Sequence, residues 1–316
     1  MDADLENYNS LRGSWPSLLI GNGASIAVCD RFRYDRLYDE AALTHSDRRV
    51  FEALETTNFE AVLDTLRVAR IVCRQHGHRS RDVQGQYRSI RQALFDALVD
   101  IHVAWSELAT STLKAVRNTL RGHAAVYSTN YDLIAYWAIM SQDAKGFVDL
   151  FWGPDHTFDI VDASVSGNRT VIYYLHGSVH LYRRADGLAA KRVSDFDNLL
   201  DAAASDTSSI PLFVSEGQPD EKLAAIRRSD YLTFAFEEFS NDENPIVVFG
   251  HSLSDQDAHL RRALNRRGRR VAIGVLPNRS RVIVKQKADL LAVMPEARVQ
   301  FFDATTHPLS QVSQLP

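Results

Sequence analysis

Cysteine is almost missing from this chain. There are two in 316 residues, Cys29 and Cys73. Neither belongs to a C-x-x-C pair, so neither a disulfide framework nor a cysteine-built zinc site is expected, and a reducing cytoplasm is the fitting compartment. Long apolar runs are missing as well. The first twenty residues carry Asp2, Asp4, Glu6 and Arg12, so no secretory signal or membrane span is expected there, and no later stretch is long enough for one. There is no basic excess: the net charge of −4 sets up no global field for nucleic acid, and direct nucleic-acid binding is not expected. No G-K-[ST] occurs, which argues against a P-loop kinase or ATPase.

What is present suits a folded chain. Hydrophobic residues make up 45% and charged residues 24%, close to the averages for globular domains. Pro16–Ile20 is an apolar run ending in the turn Gly21-Asn22-Gly23-Ala24-Ser25, the pattern of a buried first strand feeding a loop and helix. From about residue 39 to 121 the period becomes helical. Phe59, Leu63, Leu66 and Cys73 share a face, and Leu94, Leu98, Ile101, Trp105 and Leu108 recur at steps of three and four. His76-Gly77-His78 and the polar residues to Gln86 read as a loop inside this block. Short apolar runs then alternate with turns and helices: Ala124–Tyr127, Val171–Leu175, Pro211–Val214, Ile246–Gly250, Val271–Val275 and Val299–Phe302. Ala202–Ser209 reads as a short linker, and no internal repeat is found. The expectation is a single α/β domain over residues 1–316. It would have a Rossmann-like, mostly parallel sheet with helices on both faces, and 39–121 would be a helical lobe or lid inserted between the first and second strands.

Polar motifs recur at the ends of these strands. The glycine turn would let a backbone approach a pyrophosphate, although the full G-x-G-x-x-G fails at Ile26 and an ordinary strand-to-helix turn reads the same way. Ser128-Thr129-Asn130-Tyr131-Asp132 follows the second strand. Asn130 offers both a donor and an acceptor for a ribose hydroxyl or a water, or else it caps a helix. His176, after Val171–Leu175, suits a general base near neutral pH or a structural histidine. His180 lies four residues on, a spacing that aligns metal ligands only on a helix, which Gly177 argues against. Gly250-His251-Ser252-Leu253-Ser254-Asp255-Gln256-Asp257 offers hydroxyls and carboxylates for ribose contacts, with Asp255 or Asp257 also read as a helix cap.

Taken in order, the G-x-G-x-S turn, T-N-Y-D, H-G and G-x-S-L resemble the sirtuin superfamily, in particular the bacterial sirtuin-like proteins that degrade NAD in anti-phage defence. Phe213-Val214-Ser215-Glu216-Gly217, Lys222-Leu223 and Tyr231-Leu232 also look like that branch. The resemblance implies cofactor contacts at Gly21, Asn22, Gly23, Ser25, Thr129, Gly250, Ser252 and Asp255, with Asn130, His176 and Asp132 in catalysis. It implies NAD as substrate, no metal, and hydrolysis to nicotinamide and ADP-ribose by a gated effector. The gate would be a homo-oligomer or a separately encoded partner such as a HerA-like ATPase. Three departures argue against acyl-peptide use. There is no cysteine after Cys73 to build the four-cysteine module, Asn22 stands where sirtuins carry alanine between the turn glycines, and Arg31-Phe32-Arg33-Tyr34-Asp35 replaces the sirtuin G-I-P-D-F-R loop. Protein deacylation or ADP-ribosylation, and a non-catalytic NAD or ADP-ribose sensor, are the alternatives. The run Arg261, Arg262, Arg266, Arg267, Arg269 and Arg270 reads either as an interface or as a solvated helix face.

Overall fold

Ser17–Ile20 forms β1, whose four residues are all buried. A strand buried on both faces belongs at the centre of a parallel sheet, and β1 pairs in parallel with β2 (Ala125–Ser128) on one side and β8 (Ile246–Phe249) on the other. The computed structural model describes residues 3–78, 80–161, 167–193, 199–200, 202, 210–214, 218–312 and 315. Most of the expected linker, residues 203–209, falls outside these, as do Ser215, Glu216 and Gly217.

The main sheet has seven strands in the order β10-β9-β8-β1-β2-β4-β3. The remaining members are β3 (Phe147–Val148), β4 (Thr170–Tyr174), β9 (Arg270–Val275) and β10 (Arg298–Asp303). Every pairing is parallel, and helices cover both faces, so the architecture is the expected Rossmann-like α/β sheet. From β1 the chain steps to β2 on one side. It later returns on the other side through β8 and β9. The junction of β1 and β8 is therefore a topological switch point, where the loops at the carboxyl ends diverge and leave a crevice.

The helices between β1 and β2 start at Asn22, where the glycine turn is expected to feed a helix, and continue into the expected helical block. They are α1 (Asn22–Val28), α2 (Tyr34–Glu40), α3 (His45–Ala53), α4 (Phe59–Gln75), α5 (Arg81–Asp100) and α6 (Thr110–Arg121). Buried Ile90, Leu94, Ala97 and Leu98 give α5 one apolar stripe at steps of four and three, and it packs against α4. Thr44 and Asp47 close a capping box at the start of α3. The inserted block does not include α6, which packs beside α7 (Ile134–Met140) and buries Leu113, Val116 and Leu120. It serves as the ordinary crossover helix into β2.

One layer was not foreseen. β5 (Gly177–Arg183), β6 (Ala189–Lys191) and β7 (Ile210–Phe213) form a second, antiparallel sheet in the order β6-β5-β7. The apolar run Pro211–Val214 thus belongs to this sheet and not to the parallel one. Gly177, with φ +79°, makes the turn from β4 into β5; a Cβ there would lie 1.9 Å from the Leu212 carbonyl oxygen.

The outer edge of β10 is covered by the N-terminal segment. The Glu6 amide donates to the Phe301 carbonyl, and the Asp303 amide donates to Glu6 at 2.8 Å. Tyr8 packs on Phe302 and His307. No helix among the described residues is long and apolar enough to cross a membrane.

Candidate active site

Phe249, Ile20, Ser128 and Tyr174 sit side by side across β8, β1, β2 and β4. The loops that follow these four residues therefore leave the sheet at one level. They carry Gly250, Gly21, Thr129–Asp132 and His176, four motifs far apart in sequence and adjacent in space.

The glycines meet each other first. The Gly23 amide donates to the Gly250 carbonyl at 2.8 Å and the Gly21 amide to Phe249 at 3.0 Å. A Cβ at Gly23 would stand 2.6 Å from Gly250 Cα, and one at Gly250, where φ is +68°, would stand 2.5 Å from the Ala24 nitrogen. Two backbone turns lie against each other with no room for a side chain between them. Loop crossing alone thus requires these glycines, and only Gly23 and Gly250 also reach the cavity.

That cavity, about 210 Å³, is lined on the sheet side by Asn22, Gly23, Thr129, Asn130, Tyr131, Asp132, His176, Gly250, His251 and Ser252. Ile26, Phe32, Leu37, Phe59, Leu94 and Leu98 from the helical block form its apolar roof. Lys222, from α8 (Pro219–Ile226), and Asp257 complete the wall. A wider groove of about 690 Å³ begins at Ser252 and runs along Arg261, Lys285 and Asp289.

Asn130 is fixed from below. Its Nδ2 donates to Ser25 Oγ at 2.7 Å, and Ser25 in turn donates to Asp132. The other Asp132 oxygen accepts from the Ile134 amide at 2.9 Å, at the start of α7. Both carboxylate oxygens are thus engaged, and Asp132 holds Asn130 through Ser25. Ser25 is buried beneath the cavity wall, so the geometry gives it this tethering position instead of the expected cofactor contact. Asn130 Oδ1 is buried and has no partner. Leaving a buried amide oxygen unpaired costs on the order of 1–3 kcal/mol, an acceptor that a ligand hydroxyl or water in the cavity would satisfy. Nearby, His102 Nε2 accepts from the Leu133 amide at 2.7 Å while Nδ1 faces the Val103 carbonyl at 2.9 Å. Burial keeps this imidazole below its ordinary range and neutral, against the pull of Asp132.

His176 belongs to a second buried cluster. Its Nε2 lies 3.0 Å from Nε2 of His259, in α10 (Ala258–Leu264), the helix after α9 (Asp230–Asn241). Lys222 Nζ donates to Asp257 Oδ1 at 2.9 Å, and His251 Nε2 lies 3.7 Å from the other Asp257 oxygen. Burial pushes His176 well below the imidazole range, with Lys222 and His259 acting in the same direction. Burial also takes His259 down to about 4; Asp257 opposes this and Lys222 adds to it. Burial would raise the Asp257 carboxyl, but Lys222 followed by His251 and His176 outweighs it and holds the group below the carboxylate range.

His176, Asp257 and His259 bring three ligand-type atoms within 4.8 Å of one another. The buried Lys222 ammonium already compensates the carboxylate. A divalent ion placed about 4 Å from that ammonium would meet roughly 8 kcal/mol of repulsion at an effective dielectric near 20. The cluster is better suited to holding protons than a metal.

Other expected residues fall elsewhere. Gly21 lies under the Gly250 loop, outside the cavity lining. The Asp255 side chain is 98% exposed and pairs with Arg261 at 2.8 Å; it lies outside the 210 Å³ cavity and on the wall of the wider groove. His180 lies in β5, its Nδ1 2.9 Å from Ser178 Oγ. The arginines of 261–270 do not share one face. Arg262 pairs with Asp220, Arg266 bonds the Ser240 carbonyl, buried Arg269 faces Asp242, and Arg270 lies over Trp15. Sequence reading missed His251, Asp257 and His259 as a cluster; the local trace was a D-x-H that follows the G-x-S-L turn after three residues.

Fold and cavity together define an α/β protein with a ligand-sized site at its switch point. The chain belongs to the family described as a domain of unknown function, DUF4917, whose model matches residues 18–309, from β1 past the end of β10. A search of curated proteins gives no match.

Proposed function

We propose that this protein is an NAD+ hydrolase that releases nicotinamide from ADP-ribose, working as a gated effector of anti-phage defence. The observation that carries this reading is the convergence of Asn130, with its unpaired Oδ1, and His176 on one cavity beside the crossed glycine turns. A volume of about 210 Å³ is below the roughly 300–1,000 Å³ of sites that enclose a drug-sized ligand. It suits the nicotinamide-ribose end of a dinucleotide, while the groove beyond Ser252 offers room for the remainder.

In this reading Asn130 Oδ1 orients a ribose hydroxyl or the attacking water, and the neutral imidazole of His176 accepts its proton. The polar wall steadies the positive charge that develops on the ribose as nicotinamide leaves. Asp132 and Ser25 act as positioning residues for Asn130. The roof residues Phe32, Leu37, Phe59, Leu94 and Leu98 offer a peptide no side-chain hydrogen-bond partner, which favours water as acceptor. Gating by oligomerisation, or by a separately encoded partner such as a HerA-like ATPase, belongs to the same proposal, because unrestrained NAD loss would harm the host.

The test is product analysis by mass spectrometry after incubation with NAD+, with Asn130→Ala and His176→Ala as controls checked for folding by circular dichroism. Nicotinamide and ADP-ribose should form with the wild type and disappear with either variant. Full activity in both variants would refute the assignment.

A further inference from the structure

We propose that His259 is the proton acceptor behind His176, so that the site works as a two-histidine relay and not through a single base. The inference deepens the hydrolase reading and rests on it for the reaction; the proton arrangement itself can be examined without any substrate.

The geometry starts from the two Nε2 atoms, 3.0 Å apart in rings tilted by 30°. A hydrogen bond between two neutral imidazoles holds one proton, so one ring donates and the other accepts. His176 has its Nε2 committed to this bond, which leaves Nδ1 as the nitrogen able to meet a substrate. For Nδ1 to be a base, Nε2 of His176 must carry the hydrogen and Nε2 of His259 must accept it. The proton of His259 then resides on its own Nδ1, and that atom is buried without a partner. An orphaned N–H on His259 is the cost of presenting a lone pair to His176.

The surroundings favour moving the charge outward. Asp257, Lys222, His251, Arg262 and His176 face His259, while Lys222, Asp257 and His251 join His259 around His176. Asp257 is the one anion among them, and it favours an imidazolium at His259. In the relay, the O–H bond of the ribose hydroxyl or water breaks and its proton binds Nδ1 of His176. The Nε2–H bond of His176 breaks as the Nε2–H bond of His259 forms. The pair left on the water oxygen forms the new C–O bond at the anomeric carbon, and the C–N pair departs with nicotinamide. His176 ends neutral and His259 ends cationic, one ring further from the positive charge on the ribose. A lone His176 would hold that second positive charge at the cavity wall.

Two measurements test this. The first is nicotinamide release against pH for the wild type and His259→Gln, a side chain that keeps a hydrogen-bond acceptor for His176 but cannot take the proton. The expected result is a kcat lower by roughly a hundredfold or more, a KM within about twofold, and an acid limb that moves from its wild-type position. An unchanged kcat and profile would overturn the relay while leaving the hydrolase reading intact. Loss of wild-type activity on chelation, with recovery on adding zinc, would overturn it too, since these nitrogens would then be metal ligands. The second measurement is a long-range proton–nitrogen spectrum of the unliganded protein, which reads the tautomers whether or not NAD+ is the substrate. Nε2–H on His176 with Nδ1–H on His259 supports the relay, and the reverse assignment refutes it.

Discussion

Replacing Lys222 by methionine tests how the buried cluster is held together. Lys222 is 1% exposed and donates to Asp257 at 2.9 Å. Methionine matches much of its bulk but leaves the carboxylate without its main counter-charge. Breaking one side of a buried ion pair costs about 3–5 kcal/mol, a large share of the roughly 5–15 kcal/mol that keeps a domain folded. Three imidazoles stand ready to compensate. Without Lys222, Asp257 would draw a proton onto His251 or His259 and raise its pKa above the unfolded value of 6.5. A group raised in the folded state contributes its full stability below the unfolded pKa and loses it as pH climbs through the folded pKa. The deficit of Lys222→Met should therefore be largest near pH 8.5 and smaller, by about 1–2 kcal/mol, near pH 6. Urea unfolding followed by circular dichroism at both pH values measures it. Adding Asp257→Asn to Lys222→Met should recover part of the loss, because no buried charge is then stranded. A deficit under about 1 kcal/mol at the higher pH, or one equal at both, would refute the reasoning.

Three further expectations follow. Gly250→Ala places a Cβ 2.5 Å from the Ala24 nitrogen at φ +68°; it should lower the melting temperature by several degrees and, by forcing the turns apart, reduce NAD+ binding measured by calorimetry. Asp255→Ala removes an exposed partner of Arg261, so stability should move by less than about 0.5 kcal/mol in a urea titration. Wild-type stability should fall as pH drops below 6.5 toward 4, because His259, at about 4 when folded, stays neutral while the unfolded chain takes up the proton. At pH 5 this one histidine has cost up to about 2 kcal/mol, and a flat urea midpoint between about pH 7 and 5 would count against its burial.

The centre of the parallel sheet was legible because β1, β2, β4 and β8 are buried almost throughout and read as apolar runs. β3 has two residues, too few to show a pattern. β5 and β6 were hidden for a different reason. Their stretch mixes buried Ser178, His180 and Lys191 with apolar residues, so no alternation marks a half-exposed strand. At the site, Asn130 and His176 were legible because each directly follows a strand. The meaning of Ser25 and Asp132 was not, since it depends on a hydrogen-bonded chain across 107 residues. Lys222, Asp257 and His259 are joined only by packing of α8 against α10, and a buried lysine leaves no mark in composition. Asp255 and Asp257 lie two residues apart yet part ways, the first exposed on the groove and the second buried in the cluster, a division that the motif alone does not reveal.

The segment laid along β10 matters for handling the chain. An outermost six-residue strand offers its free amide and carbonyl groups to any passing strand, and here Glu6 and the packing of Tyr8 occupy that rim. Trimming the first eleven residues would leave the switch-point cavity untouched yet uncover the rim, so the shortened chain should fold and then precipitate or self-associate. A loss of soluble material on truncation would thus report on sheet-edge protection and carry no information about catalysis.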